Sequence, residues 1–279
     1  MPPALIVLGI LLLLGVFWML RRVAFRARRR KLLAQPMPDE WDAILRENFP
    51  LYLSMPADLR DRLGGYVNAF LAEKNFEACG DLEAVTEEMR VTLAGQACVL
   101  LLNGRFGVFD RLRTVLLYPN VFVGESGVDR DGVDRGEQSR LGESWGTGSV
   151  VFSWRHVLHG PEYVDDGHNV VLHEFAHQLD QEDGAADGVP SLGSSSAHRE
   201  WAAVFREAYE QHANRRRRGR RLVIDDYGAT NPAEFFAVAT ETFIEKPEAL
   251  KERYPALYEQ LCRFYELDPV AWEESSAGR

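Results

Sequence analysis

Val170-Val171-Leu172-His173-Glu174-Phe175-Ala176-His177-Gln178-Leu179-Asp180 is the stretch from which the rest of the chain is read. At about 100° per residue, Leu172, Phe175, Ala176 and Leu179 recur at i, i+3, i+4 and i+7, the apolar stripe of an amphipathic helix. His173, His177 and Asp180 form a second stripe beside it. One face suits a core and the other suits chemistry. Two imidazoles four residues apart on a rigid helix can hold one Zn²⁺. Glu174, one step round from His173, then lies where it can take a proton from a water at the metal. His-Glu-x-x-His on a helix is the signature of that arrangement. Asp180 could orient an imidazole from behind. Asn169 reads as the N-cap and Gly184 as the stop. The competing reading is a pair of structural histidines whose hydrogen bonds are satisfied within the fold.

Working outward toward the N-terminus, Ser149-Val150-Val151-Phe152-Ser153-Trp154 reads as a strand beside the metal helix, a candidate to pair with a substrate backbone. Residues 124–148 are rich in Gly, Asp, Arg and Ser without apolar periodicity and read as a long loop. Asp129, Asp131 and Asp134 lack the glycine and terminal glutamate of a calcium loop and read as a solvated turn. Thr114-Val115-Leu116-Leu117-Tyr118-Pro119 reads as another strand, with Val121-Phe122-Val123 as a possible continuation. From 36 to about 103 the pattern is helical throughout, with Leu59, Leu63, Val67, Phe70 and Leu71 at helical spacing.

The N-terminus has a different character. Residues 4–20 (ALIVLGILLLLGVFWML) are uncharged and mostly aliphatic, and Arg21, Arg22, Arg26, Arg28, Arg29, Arg30 and Lys31 all follow them. A cleaved secretory signal carries its charge before the apolar core, so this order predicts an uncleaved transmembrane anchor over 1–20 and a basic juxtamembrane linker over 21–35. By the positive-inside rule it predicts a single pass through the inner membrane, with the 36–279 domain on the cytoplasmic side and the cytosol as the alternative. Cys79, Cys98 and Cys262 form no Cys-x-x-Cys pair and fit a reducing compartment.

Composition is that of an ordinary globular chain, 46% hydrophobic and 27% charged over 279 residues. Residues 1–31 hold seven of the 32 Lys and Arg and none of the 42 Asp and Glu, which leaves 25 basic against 42 acidic residues and a formal charge of −17 on the rest. A body that acidic argues against direct nucleic-acid binding.

Downstream, a polar loop leads to a helix from His198 to about Asn214, with Trp201, Val204, Phe205 and Tyr209 on its apolar face. The run Arg215-Arg216-Arg217-Arg218-Gly219-Arg220-Arg221 reads as a solvated basic loop, or else as a contact for anionic lipid or an acidic partner. Asn231-Pro232-Ala233-Glu234 opens a helix with an N-cap, proline at N1 and an acid at N3, and Pro247 ends it. Glu234 is open to two roles, capping-box partner of Asn231 or third zinc ligand. Glu241, seven residues on, shares nearly the same face, so spacing does not choose between the two carboxylates. Residues 247–269 read as closing helices.

With His173-Glu174-Phe175-Ala176-His177-Gln178-Leu179-Asp180 and Tyr227-Gly228-Ala229-Thr230-Asn231-Pro232-Ala233-Glu234-Phe235-Phe236-Ala237 both in view, the chain resembles the MtfA family of zinc peptidases (Mlc titration factor A, DgsA anti-repressor) over roughly residues 36–270. The resemblance implies a zincin-like metallopeptidase with aminopeptidase activity on a peptide or protein substrate. It implies Zn²⁺ held by His173, His177 and Glu234, with Glu174 as catalytic base and Tyr227 assisting at the transition state. It also raises an Mlc-like transcription repressor as a partner. The expected fold class is α+β, mostly helical, with a small sheet beside the metal helix and one transmembrane helix before it. A different class of function is a membrane-anchored regulatory protein that sequesters such a partner around a structural zinc.

Overall fold

The computed structural model describes residues 3–105, 107–120, 148–162 and 169–272. The strand continuation at 121–123 and the expected loop, with Asp129, Asp131 and Asp134, lie outside these except for Gly148. The described part is mostly helical with one small parallel sheet. In chain order it comprises α1 (Pro3–Leu33), α2 (Asp39–Asn48), α3 (Leu51–Ser54), α4 (Ala57–Glu73), β1 (Asn75–Ala78), α5 (Glu87–Cys98), β2 (Thr114–Tyr118) and β3 (Ser149–Ser153). Then follow α6 (Trp154–Glu162), α7 (Val170–Asp180), α8 (Ser195–Arg217), α9 (Pro232–Glu245), α10 (Pro247–Arg253) and α11 (Pro255–Tyr265).

The strands lie in the order β1-β2-β3, all parallel, with Asn75 opposite Thr114 and Thr114 opposite Ser149. Parallel neighbours need a crossover, and α5 lies on the one between β1 and β2. Val115 and Leu117 of β2, and Val150 and Phe152 of β3, alternate into the core as the period-2 reading requires. β1 departs from the all-helical reading of 36–103. Phe76 is its one large apolar side chain and none of its four residues is fully buried, so the strand leaves no alternating signal in the sequence. Trp154 opens α6 instead of closing β3.

α7 is wedged into the centre of the molecule. Phe175 meets Phe109 at 4.5 Å between ring centroids, Phe70 at 5.7 Å and Phe152 of β3 at 6.0 Å. A second aromatic cluster, with Trp201 stacked on Phe205 at 4.0 Å and Phe236 and Phe264 edge-on to Trp201, joins α8 to α9 and α11. Each aromatic pair adds on the order of 1 kcal/mol beyond area burial, so both helices that carry candidate ligands are held from behind.

The expected membrane anchor is corrected by the structure. No helix among the described residues is long and apolar enough to cross a membrane, so the single-pass inner-membrane placement with a cytoplasmic peptidase domain does not stand. The continuity of the helix gives the physical reason. The apolar run is not a separate helix that stops at an interface, since Pro3–Leu33 is one helix whose second half carries all seven basic residues. The same helix continues through the basic residues to Leu33, its apolar half exposed at Leu13, Trp18 and Met19, and its end joins the domain. There Arg29 reaches Glu73 through Nε (2.8 Å) and Nη2 (2.6 Å), with Asp110 a further 2.5 Å contact of Nη2.

Candidate metal centre

α7 begins where Asn169 turns its side chain onto the free amides of the first turn. Its Oδ1 accepts from Val171 N at 3.1 Å and Leu172 N at 3.0 Å, a cap worth about 1 kcal/mol. Val171, Leu172, Phe175, Ala176 and Leu179 are fully buried, and Gly184 ends the following turn at φ +102°. The opposite stripe faces α9. His173 Nε2 and His177 Nε2 stand 3.2 Å apart, and Glu234 Oε2 lies 3.1 Å from the first and 3.3 Å from the second.

These three atoms fit a metal. Tetrahedral zinc with bonds of about 2.0–2.1 Å places its ligand atoms about 3.3 Å apart, close to the three separations observed. The donor chemistry agrees. His173 Nδ1 lies 2.6 Å from Glu241 Oε1, so the ring donates its N–H there and leaves the Nε2 lone pair toward the cluster. Two imidazole nitrogens and a carboxylate oxygen at mutual contact call for a cation or a shared proton between them. Burial disfavours a charged His173, but the Glu241 and Glu234 carboxylates override it and raise the imidazole pKa well above its ordinary value. Burial likewise opposes ionisation of Glu234, yet the two histidines hold its carboxyl far below the usual range. Among the described residues these three form the His/Cys/Asp/Glu group arranged to hold a metal ion.

The Glu234 side chain goes to the histidines, so the structure shows one half of the expected capping box and not the other. Asn231 Oδ1 caps α9 by accepting from the Glu234 backbone N–H at 3.0 Å, while the Glu234 side chain turns to the histidines. Glu241 sits behind the cluster. Besides holding His173, its Oε2 accepts from Asn169 N at 2.7 Å, so one buried carboxylate fixes both the start of α7 and an imidazole. Sequence spacing had left Glu241 undecided. Asp180, the residue expected behind an imidazole, is committed elsewhere. Its Oδ2 accepts from Gly188 N at 2.9 Å, and Trp201 Nε1 donates to Gly188 O at 2.9 Å. Gly188 has φ +78°, and a Cβ there would overlap the Pro232 carbonyl at the head of α9. This glycine therefore clamps the end of α7 to the start of the helix bearing Glu234, a contact with no local sequence signal.

Glu174 follows His173 on the half-buried edge of α7. Burial raises its carboxyl pKa, against the pull of both histidines. Tyr227 stands on a short turn (Asp226–Ala229) opened by Asp225, whose Oδ1 accepts from Tyr227 N at 2.8 Å. Its ring centroid is 6.0 Å from that of His173. The arginine run is solvated as the sequence reading has it, exposed from Arg216 to Arg221, but it is only partly a loop. Its first three residues are the last turn of α8, and Gly219 closes that turn at φ +59°.

Comparison with known proteins accords with this geometry. The family model described as glucose-regulated metallo-peptidase M90 matches residues 23–266. The protein slr2042 of Synechocystis is 39% identical over 246 residues, covering 87% of this chain and 89% of its own. Mlc titration factor A of Yersinia pestis and that of Yersinia pseudotuberculosis are each 32% identical over 251 residues, 85% of this chain and 89% of theirs. A metallopeptidase family implies a metal ion, and the match spans both helices of the cluster. The chain belongs to the MtfA family of M90 metallopeptidases.

Proposed function

We propose that the chain is a zinc-dependent, zincin-like aminopeptidase in which His173, His177 and Glu234 hold the ion. The observation that carries this reading is the convergence of three lone-pair atoms at 3.1–3.3 Å, with Glu241 fixing the tautomer of His173. When bound, zinc supplies Lewis acidity toward water and a peptide carbonyl. Glu174 acts as general base, taking the proton of the attacking water and delivering it to the leaving amine. Burial moves its carboxyl pKa upward, the direction that makes a carboxylate a better base. Tyr227, beside His173, donates its hydroxyl hydrogen bond to the oxyanion as the carbonyl becomes tetrahedral. β3 packs on α7 through Phe152 and Phe175, and its far edge carries no strand among the described residues, so it offers backbone groups to the substrate main chain. The preference for a free N-terminus rests on the family resemblance.

Metal analysis paired with peptide hydrolysis tests the proposal. Glu174→Gln is to keep near-stoichiometric zinc and lose hydrolysis, because the base is not a ligand, while N-acetylation of the peptide is to abolish cleavage by the wild type. Equal activity in Glu174→Gln would sink the mechanism. The name titration factor, carried by the Yersinia relatives, favours a second reading in which the domain also binds an Mlc-like repressor. Co-elution of the Glu174→Gln protein with such a repressor tests it, and separate elution rejects it.

A further inference from the structure

Residues 215–221 hold six arginines in seven positions, on a chain whose net charge is −10. They are built into a closed turn. Arg218 N donates to Asn214 O and Arg215 O, Gly219 N to Arg216 O and Arg220 N to Arg215 O, all at 3.0–3.2 Å, and Arg215 Nη2 reaches Arg221 O at 2.8 Å. The left-handed Gly219 makes the reversal possible. Favourable contact with the helix dipole explains cations in the last turn of α8, up to Arg217. It does not explain Arg220 and Arg221, which lie beyond it. Among the described residues only Arg216 has a carboxylate within ion-pairing distance, Asp226 at 3.7 Å. Like charges held this close repel one another, and an arriving anion relieves that cost.

The turn also stands next to the site. Asp226 immediately precedes Tyr227, and Tyr209 of α8 donates its hydroxyl to Ala229 O at 3.2 Å, which ties the end of α8 to the Tyr227 turn. A groove of about 570 Å³ lies along that seam, with Tyr209, Arg216, Arg217 and Ala229 among its lining. A second, of about 650 Å³, opens on the other side of the run, where Arg215, Arg221, Lys246 and Arg253 share the lining with Glu245, Glu248 and Glu252, so the acidic segment is expected on the turn itself and not in this mixed groove.

We propose that this arginine turn is a docking surface for a short acidic segment of the polypeptide on which the enzyme acts, and so sets a preference for acidic substrates. The inference rests on the peptidase reading above. The body of the chain favours this occupant over a long polyanion. Outside residues 1–31 it carries −17, which repels an extended nucleic acid but costs little for a peptide presenting three or four carboxylates to one local patch. Guanidinium groups in a fixed array suit bidentate carboxylate recognition.

The test separates docking from turnover. Binding of a fluorescent peptide ending in Glu-Asp-Glu-Glu, and of its Gln-Asn-Gln-Gln counterpart, is followed by anisotropy on the Glu174→Gln protein at low and physiological salt. The acidic peptide is to bind at least about tenfold more tightly at low salt, with the gap narrowing as salt rises. The advantage is to vanish in Arg217→Gln/Arg218→Gln/Arg220→Gln/Arg221→Gln, which leaves the Arg216–Asp226 pair in place. In the otherwise wild-type enzyme the same four changes are to raise KM for the acidic peptide and leave kcat and the neutral peptide unchanged. Equal binding of the two peptides, a preference that survives the four changes, or tight binding of single-stranded DNA in place of the acidic peptide would each overturn the proposal. If neither peptide is cleaved by the wild type while the acidic one still binds through the arginines, the peptidase reading fails and the docking surface stands.

Discussion

Glu241→Gln isolates what the carboxylate behind the cluster does. Glu241 accepts two hydrogen bonds in a buried place, from His173 Nδ1 at 2.6 Å and from Asn169 N at 2.7 Å. A glutamine has nearly the same shape but one acceptor oxygen, so its NH₂ must face one of the two donors. Either the imidazole loses its partner and its tautomer is no longer fixed, or the first turn of α7 loses the anchor of its cap residue. Hydrogen bonds to a charged group are worth roughly 1.5–3 kcal/mol each, and loss of a carboxylate behind a metal-binding histidine lowers metal affinity about 10–100-fold. The expected result is a zinc dissociation constant raised by one to two decades, read by competition with a chromophoric chelator. Folding stability is to fall by about 2 kcal/mol in urea, and catalysis is to remain when zinc is saturating. Glu234→Ala is to lose zinc far more severely, because it removes a group that meets both imidazoles. Equal losses in the two variants, or none in Glu241→Gln, would refute the assignment of Glu234 to the cluster and Glu241 to its support.

Tyr227→Phe removes only a hydroxyl and is to lower kcat on the order of 10²-fold with zinc content unchanged, whereas an effect confined to KM would show that the ring binds substrate. Gly188→Ala places a side chain on the Pro232 carbonyl in a left-handed backbone and is to cost about 2–3 kcal/mol of stability along with zinc affinity, since α9 must shift; unchanged unfolding and chelator competition would contradict this. Lys74 is buried, its Nζ donates to Phe109 O at 2.7 Å and Leu112 O at 2.9 Å, and burial lowers its pKa to about 8. Between about 8 and the ordinary lysine value the unfolded chain binds the extra proton, so stability relative to Lys74→Met is to rise with pH from about 8, by up to about 3 kcal/mol across the window. A flat or falling difference between urea midpoints over pH 8–9.5 would oppose it.

The candidate cluster was legible because it is written in local periods. His173 and His177 share a face through the 3.6-residue turn, Asn169 and Asn231 cap as their positions require, and β2 and β3 alternate because one face of each is buried. What stayed hidden lacks a period. β1 is too exposed to alternate. The Asp180–Gly188–Trp201 contact joins three elements through one backbone unit, and nothing in a glycine's neighbours announces which carboxylate will meet its amide. The apolar run near the N-terminus misled for a related reason, because its order of apolar then basic residues does not show that one unbroken helix carries both.

Glu234 and Glu241 show how tertiary structure settles what spacing cannot. Seven residues bring a helical side chain back to within about 20° of the same face, so both carboxylates point from α9 toward α7. The same seven residues separate them by about 10 Å along the axis, too far for both to meet one nitrogen of His173. The ring spans the gap, with Nε2 toward Glu234 and Nδ1 toward Glu241. Which carboxylate meets the cluster is therefore decided by where α9 starts along α7. Two contacts near the helix ends set that start, the Gly188 backbone against Pro232 and the Glu241 carboxylate on Asn169 N. One governs the head of α9 and the other holds the cap of α7. A shift of α9 by one turn, about 5.4 Å, would leave neither carboxylate opposite its nitrogen, so the His173-His177-Glu234 cluster and these remote contacts must form together or not at all.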